Sequence, residues 1–315
     1  MLKRKSQAYT QGTNKNHMSH IRLYISFCIH FGLQDINPEP ETVCLYIEFL
    51  AQSLKSPKSV ANYISSVKFL HKFLGYSVDS LESFEVHLLL RACHLTMEHV
   101  PLQRRPLTPD LIRLVLQSAK STSTCYPVFR CAVLLSFYGF LRMSNLTPRV
   151  ISQFDPRKHT CRGDVFRAEP GLVILLKWSK TNQFGQNTEL IPIPRSKDPH
   201  MCPVSAYDLM EQLVPTISPN QPLLALPAPP GGQLSPVHPD WLSNELSSAL
   251  EACGEDPSMY SFHSLRRSGA TTAYRAGVQF AQIKKHGCWR SDAFWAYVTN
   301  CATGHTPVTR ALANI

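Results

Sequence analysis

The chain has 315 residues, 43% of them hydrophobic and 17% charged, and its 32 Lys and Arg against 22 Asp and Glu give a net charge of +10. That length suits two domains, and that composition is globular, which excludes a disordered or fibrous chain. No stretch is long and apolar enough to span a membrane and no charged-then-apolar leader opens the chain, so a secreted or membrane-spanning protein is not expected.

The basic excess is uneven. Lys3, Arg4, Lys5, Lys15 and Arg22 precede any acid. Between Tyr260 and Val298 stand Arg266, Arg267, Arg275, Lys284, Lys285 and Arg290 against Asp292 alone. Such clustering favours a polyanionic partner, because each neutralised phosphate releases condensed counterions.

From His17 to His99 the pattern is helical. Ile21, Tyr24, Ile25, Cys28 and Phe31 recur at steps of three and four, as do Val43, Tyr46, Ile47 and Leu50. A third run starts at Ser56-Pro57, carries Val60, Tyr63, Ile64, Val67, Phe69 and Leu70, and closes at Gly75. A fourth covers Leu81 to Met97. These short helices predict a small all-α domain over residues 1–100. Residues 101–108, with two arginines between prolines, read as a linker, and 109–315 as a second domain.

Thr108 and Pro109 have the character of an N-cap and first helical position. A helix is expected around Val128 to Met143. Gly171 to Trp178 and Glu189 to Ile193 predict a β-hairpin across a polar turn. Pro215 to Pro239 is proline-rich loop, with Leu223 to Leu226 a short strand inside it. Helix returns at Trp241 to Ala252 and His263 to Ala276. The expected fold class is therefore mainly α with a small antiparallel sheet.

The ten cysteines are scattered, with no C-x-x-C. The pairs His159/Cys161 and His200/Cys202 are poor zinc sites, so no metal is expected, and free thiols fit a reducing intracellular compartment.

In Phe262-His263-Ser264-Leu265-Arg266, His263 and Arg266 share a helix face at i and i+3. Downstream, Trp289 is followed at i+8 by Tyr297. Taken singly, these strings also suit an exposed basic turn and a core tyrosine. In order, with Gly139-Phe140-Leu141-Arg142 and Trp178-Ser179-Lys180-Thr181 before them, they resemble the tyrosine recombinase (phage-integrase) superfamily. The strings Leu265 to Ala270 and Gly287 to Phe294 look most like its eukaryotic branch, encoded by DIRS-like, Ngaro-like and Crypton elements.

The resemblance implies an α-helical, SAM-like core-binding domain joined to a mixed α+β catalytic domain. It implies the catalytic set Arg142, Lys180, His263, Arg266, Trp289 and Tyr297, acting on double-stranded DNA through a 3′-phosphotyrosine intermediate without metal or ATP. It also implies a homo-oligomer, a tetramer on paired sites, working in the nucleus if the host is eukaryotic.

The chemistry needs these residue types. Two guanidiniums match the nonbridging oxygens of a phosphodiester and act where charge develops. A tyrosine, with an ordinary pKa of about 10, needs an electropositive site to attack. Lys180 is the resemblance's acid for the leaving 5′-oxygen, His263 assists, and Trp289 packs and donates one indole N–H.

Three departures bear on this transfer. The step from Trp289 to Tyr297 is one residue shorter than in many members, and the longer step would land on Cys288. Asn145 stands where many bacterial members have Glu, and Lys177 rivals Lys180. Tyr260 and Tyr274 rival Tyr297 but come too early in the order. Outside the active site, Lys58 and Asn62 share a face at i and i+4, as do Lys68 and Lys72. Lys58, Asn62 and Lys68 are assigned to the DNA surface, with Arg104 and Arg105 of the linker and Arg267 of the basic run. The alternatives are a catalytically silent DNA-binding protein descended from a recombinase, and a topoisomerase-like relaxing enzyme.

Overall fold

The computed structural model describes residues 8–99, 104–123, 125–169, 171–178, 188–226 and 234–289. The chain divides into two compact units, Met1–Pro101 and Leu102–Ile315.

The described part of the first unit is α-helical: α1 (Gln11–Phe31), α2 (Pro40–Ser53), α3 (Pro57–Leu74) and α4 (Phe84–Thr96). Local chemistry sets their ends. The Thr10 and Ser83 hydroxyls accept the N–H of Thr13 and Val86, and prolines open α2 and α3. Gly75 ends α3 in the left-handed region at φ 86°, which costs glycine little. The core runs between the helices through Tyr24, Phe27, Tyr46, Ile47, Leu50, Ile64 and Val67. The Tyr24 and Phe27 rings lie 5.1 and 5.0 Å from that of Tyr46.

The second unit begins with α5 (Pro109–Thr122), where the Thr108 hydroxyl accepts the Leu111 N–H as the sequence predicts. Next comes α6 (Tyr126–Tyr138), buried from Val128 through Phe137. A helix apolar on every side belongs in the middle, and α8 (Pro203–Leu213) and α10 (Phe262–Arg275) pack against it. The single-turn α7 (Met143–Leu146), α9 (Pro239–Ala252) and α11 (Phe280–His286) complete the described helices.

One antiparallel sheet, ordered β1 (Val165–Ala168), β2 (Gly171–Leu176), β3 (Glu189–Pro194), lies beside them. Leu172 faces Ile193 and Ile174 faces Ile191, so the buried side chains of β2 and β3 align. Pro192 and Pro194 fit because β3 is an edge strand. The mainly helical class with a small antiparallel sheet is the one the patterning predicts.

Several elements differ from expectation. The expected helix to Met143 stops at Tyr138, because Phe140 turns left-handed. Strand β2 ends at Leu176, two residues before Trp178. The expected strand at Leu223 to Leu226 is reduced to one isolated bridge, Ala225 with Pro236, and Pro222 just before it bridges to Cys161. Among the described residues no helix is long and apolar enough to cross a membrane.

Candidate active site

After α6 the chain reverses through Gly139 and Phe140. Phe140 sits at φ 48°, a conformation costing a non-glycine residue about 1 kcal/mol or more. Its surroundings hold it there. Its ring meets those of His286 and Trp289 at 4.7 and 6.0 Å, over Ala270 and Ile283, and its carbonyl accepts from Nη1 of Arg266.

The reversal delivers Arg142, half-buried, to the start of α7. The Arg142 backbone N–H donates to Asn145 Oδ1 at 2.9 Å, and Asn145 Nδ2 donates to the Trp178 carbonyl at 3.3 Å. Asn145, buried, thus ties Arg142 to the chain just beyond β2.

Arg266 lies on α10, one turn after the exposed His263, and is only 2% exposed. Its Nη2 donates to the Gly287 carbonyl at 2.6 Å. Its Cζ sits 4.2 Å from the centroid of the Trp289 ring, a cation–π stack. Those contacts offset the desolvation of a buried charge. Gly287 is required here, because a Cβ would fall inside the Trp289 ring.

Arg142, Arg266, Asn145, Gly287 and Cys288 line one cavity of about 10 Å³, with Leu176 and Ile191 from the sheet. Burial chiefly, with Glu189, pushes the Cys288 thiol above its ordinary pKa, while the charges of Arg266 and Arg142 pull it down. Arg142 and Arg266 therefore both border this cavity.

The structure brings Arg142, Arg266 and Trp289 together, with His263 at the exposed end of α10. Lys180 and Tyr297 lie outside the described residues. The rival Lys177 holds Asp164 Oδ2 and the Pro156 carbonyl, each at 2.6 Å. The rival Tyr260 donates to Glu255 at 2.8 Å, and burial raises its pKa, which disfavours attack. Tyr274 stacks on Phe280 at 5.0 Å. His286, which carries no motif, was not singled out by the sequence; its Nε2 contacts the Tyr138 carbonyl at 2.8 Å.

Arg104 and Arg105 are exposed and run beside the start of α10. Arg104 donates to the Tyr260 carbonyl, the Arg105 N–H to the Met259 carbonyl at 2.7 Å, and Arg267 to the Arg104 carbonyl at 2.7 Å. In the first unit Lys58 and Asn62 are exposed on α3. Lys68 instead shares Glu82 with Lys72, at 3.7 and 3.8 Å. No cluster of three or more metal-ligating side chains occurs among the described residues. Nine described cysteines are free.

No family model and no curated protein sequence matches the chain. Solved structures do. The Tn1549 transposon integrase in complex with transposon right end DNA is 13% identical with a TM-score of 0.64, over 99% of this chain and 96% of that one. A lambda integrase tetramer bound to a Holliday junction is 17% identical with a TM-score of 0.58, over 92% and 75%. The XerH site-specific recombinase bound to palindromic difH substrate, a post-cleavage complex, is 14% identical with a TM-score of 0.57, over 88% and 71%. At these identities the likeness is one of fold, shared with these two integrases and this site-specific recombinase.

Proposed function

We propose that the chain is a site-specific DNA recombinase or integrase that cleaves and rejoins strands through Tyr297. The observation that carries this reading is the convergence of Arg142 and Arg266 on one cavity, under Trp289, in a fold shared with integrases. Two arginines bordering one cavity are suited to a phosphodiester whose nonbridging oxygens gain charge in the transition state.

In this reading the Tyr297 hydroxyl gives up its proton, with His263 assisting, as its oxygen attacks phosphorus; the bond to the 5′-oxygen breaks, and Lys180 protonates that oxygen. The product is a 3′-phosphotyrosine with a free 5′-hydroxyl. Attack by a 5′-hydroxyl reverses the steps, so no ATP or metal is consumed. Arg142 and Arg266 clamp the phosphate, His263 assists proton transfer or holds it, and Trp289 fixes Arg266 by stacking.

Residues 1–100 form the core-binding domain, 101–108 the linker, and 109–315 the catalytic domain. Lys58, Asn62, Arg104, Arg105 and Arg267 meet duplex DNA. Lys68, paired with Glu82, contributes less than its position in the sequence implies. A tetramer on paired sites, a eukaryotic transposon of DIRS, Ngaro or Crypton type, and a nuclear workplace follow from the motif resemblance.

One observation favours the silent DNA-binding reading. Arg266 is almost fully buried, both its Nη atoms bond backbone carbonyls, and the cavity beside it has room for one water. Trapping decides between the two. Nicked duplexes with randomised centres, incubated with the protein, are expected to yield a covalent adduct that Tyr297→Phe abolishes. Sequence-selective binding without adduct selects the silent protein, and an adduct that survives Tyr297→Phe overturns the nucleophile.

A further inference from the structure

Arg162 is a buried cation that the site described above does not use. It opens the single 3₁₀ turn Arg162–Asp164 that leads into β1, and only 2% of it is exposed. Its Nη2 donates to the Val214 carbonyl at 3.3 Å, while Nε and Nη1 have no hydrogen-bond partner among the described residues. A guanidinium taken out of water with donors unmet is costly. Glu211 Oε1 stands 3.9 Å from Nη1, beyond hydrogen-bond reach. That oxygen already accepts from Thr216 Oγ1 at 2.9 Å and Tyr207 Oη at 3.3 Å, and Glu211 Oε2 accepts from Arg167 Nη2 at 2.8 Å.

These groups line a cavity of about 400 Å³ between the start of β1, α8 and the loop after α8. That volume lies in the range of roughly 300–1,000 Å³ common to small-ligand sites. The Tyr207 ring has the Cζ atoms of Arg162 and Arg167 at 5.7 and 6.0 Å from its centroid, and Ile217 and Pro219 add apolar wall.

The loop is held in shape by its own hydrogen bonds. The Arg162 N–H donates to the Gln221 carbonyl at 2.8 Å and the Gly163 N–H to the Pro219 carbonyl at 2.9 Å. The Gln221 side chain accepts the Ile217 N–H at 3.0 Å and donates to the Pro215 carbonyl at 3.3 Å. A Cβ on Gly163 would fall 2.8 Å from Pro219, so glycine permits this close approach.

Charge selects the ligand. Two guanidiniums against the single Glu211 carboxylate leave the lining with one positive charge, and Arg167 is already paired with Asp208 and Glu211. A monoanion balances that charge, whereas a dianion overbalances it beside Glu211. We infer that this cavity binds a small monocarboxylic acid, its carboxylate accepting from Arg162 and its apolar body lying on Tyr207, Ile217 and Pro219. The carboxylate supplies the acceptors Arg162 lacks, through charge-assisted hydrogen bonds. The site belongs to the second unit alone, and the inference is independent of strand cleavage.

Phenylacetate, titrated into the full chain without DNA, tests it. At 10 mM it is expected to raise the melting temperature by about 3–6 °C, and calorimetry should give a Kd on the order of 0.1–1 mM. The neutral isostere phenylacetamide should do neither, and inorganic phosphate should not compete. Arg162→Met keeps the apolar stem and should abolish binding. If that variant fails to fold, Ile217 at the rim, 80% exposed, carries the test. Ile217→Glu should melt like the native chain without ligand and bind phenylacetate about tenfold more weakly, and Ile217→Lys should bind at least as well as native. No response to phenylacetate overturns the inference, as does an equal response to phenylacetamide. Competition by phosphate overturns the monocarboxylate class, and native affinity in Ile217→Glu or in a folded Arg162→Met overturns the location.

Discussion

Arg266 shows how much one side chain does in this site. Its guanidinium joins three segments: the left-handed turn at Phe140, the Gly287 carbonyl and the Trp289 ring. Lysine has a single ammonium and no planar face, so it cannot reproduce this set. Arg266→Lys is expected to lower cleavage by on the order of 100-fold or more, measured as the rate of adduct formation. Arg266→Ala should also destabilise the fold by about 2–3 kcal/mol in urea titration, since two buried carbonyls lose a charged donor. Gly287→Ala should cost about 1–3 kcal/mol by the same titration, because the Trp289 ring must move. Wild-type stability in Gly287→Ala would contradict the stacked placement of Trp289.

At the scale of elements, the site depends on two junctions. One is Asn145, which links Arg142 to the Trp178 carbonyl just beyond β2. Asn145→Ala is expected to cost about 1–3 kcal/mol and to slow cleavage with DNA affinity preserved, read by equilibrium binding beside adduct kinetics. The other is the crossing of α10 over the end of α6, where a Cβ at Gly269 would strike the Phe137 carbonyl and the Phe140 ring. Gly269→Ala should lower the melting temperature and cleavage together.

The sequence made some of these elements legible and hid others. Thr108-Pro109 and Ser56-Pro57 were readable because helix starts are local chemistry, a proline opening both helices and the Thr108 hydroxyl capping one. Helix α8 was missed, although Pro203 opens it and Val204, Tyr207 and Met210 recur at steps of three. Strand β1 was missed because only Val165 is even half-buried, so the strand shows no alternation. The break at Phe140 was unreadable because a non-glycine turned left-handed is held by tertiary contacts, not by its own preference.

For the whole molecule, the proposed function together with the net charge of +10 and the exposed Lys58, Arg104 and Arg105 predicts a salt-dependent grip on DNA. The slope of log K against log salt is expected on the order of −5 to −10, and neutralising Lys58 and Arg105 should reduce its magnitude by about 2. A slope near zero would remove DNA backbone contact from the account. Arg142, His263, Arg266 and Trp289 were singled out because their order resembles a family's pattern, and the structure sets Arg142 and Arg266 on one cavity with Trp289 stacked on Arg266. The tie through Asn145, the place of His286 and the pairing of Lys68 with Glu82 were not, since each is a contact between distant segments.

The most direct measurement digests the trapped protein–DNA adduct and identifies by mass spectrometry the residue that carries the nucleotide. The account predicts a 3′-phosphotyrosyl nucleotide on Tyr297. A nucleotide on Tyr260 or Tyr274 would contradict it, as would a native protein that binds DNA selectively and never forms the bond.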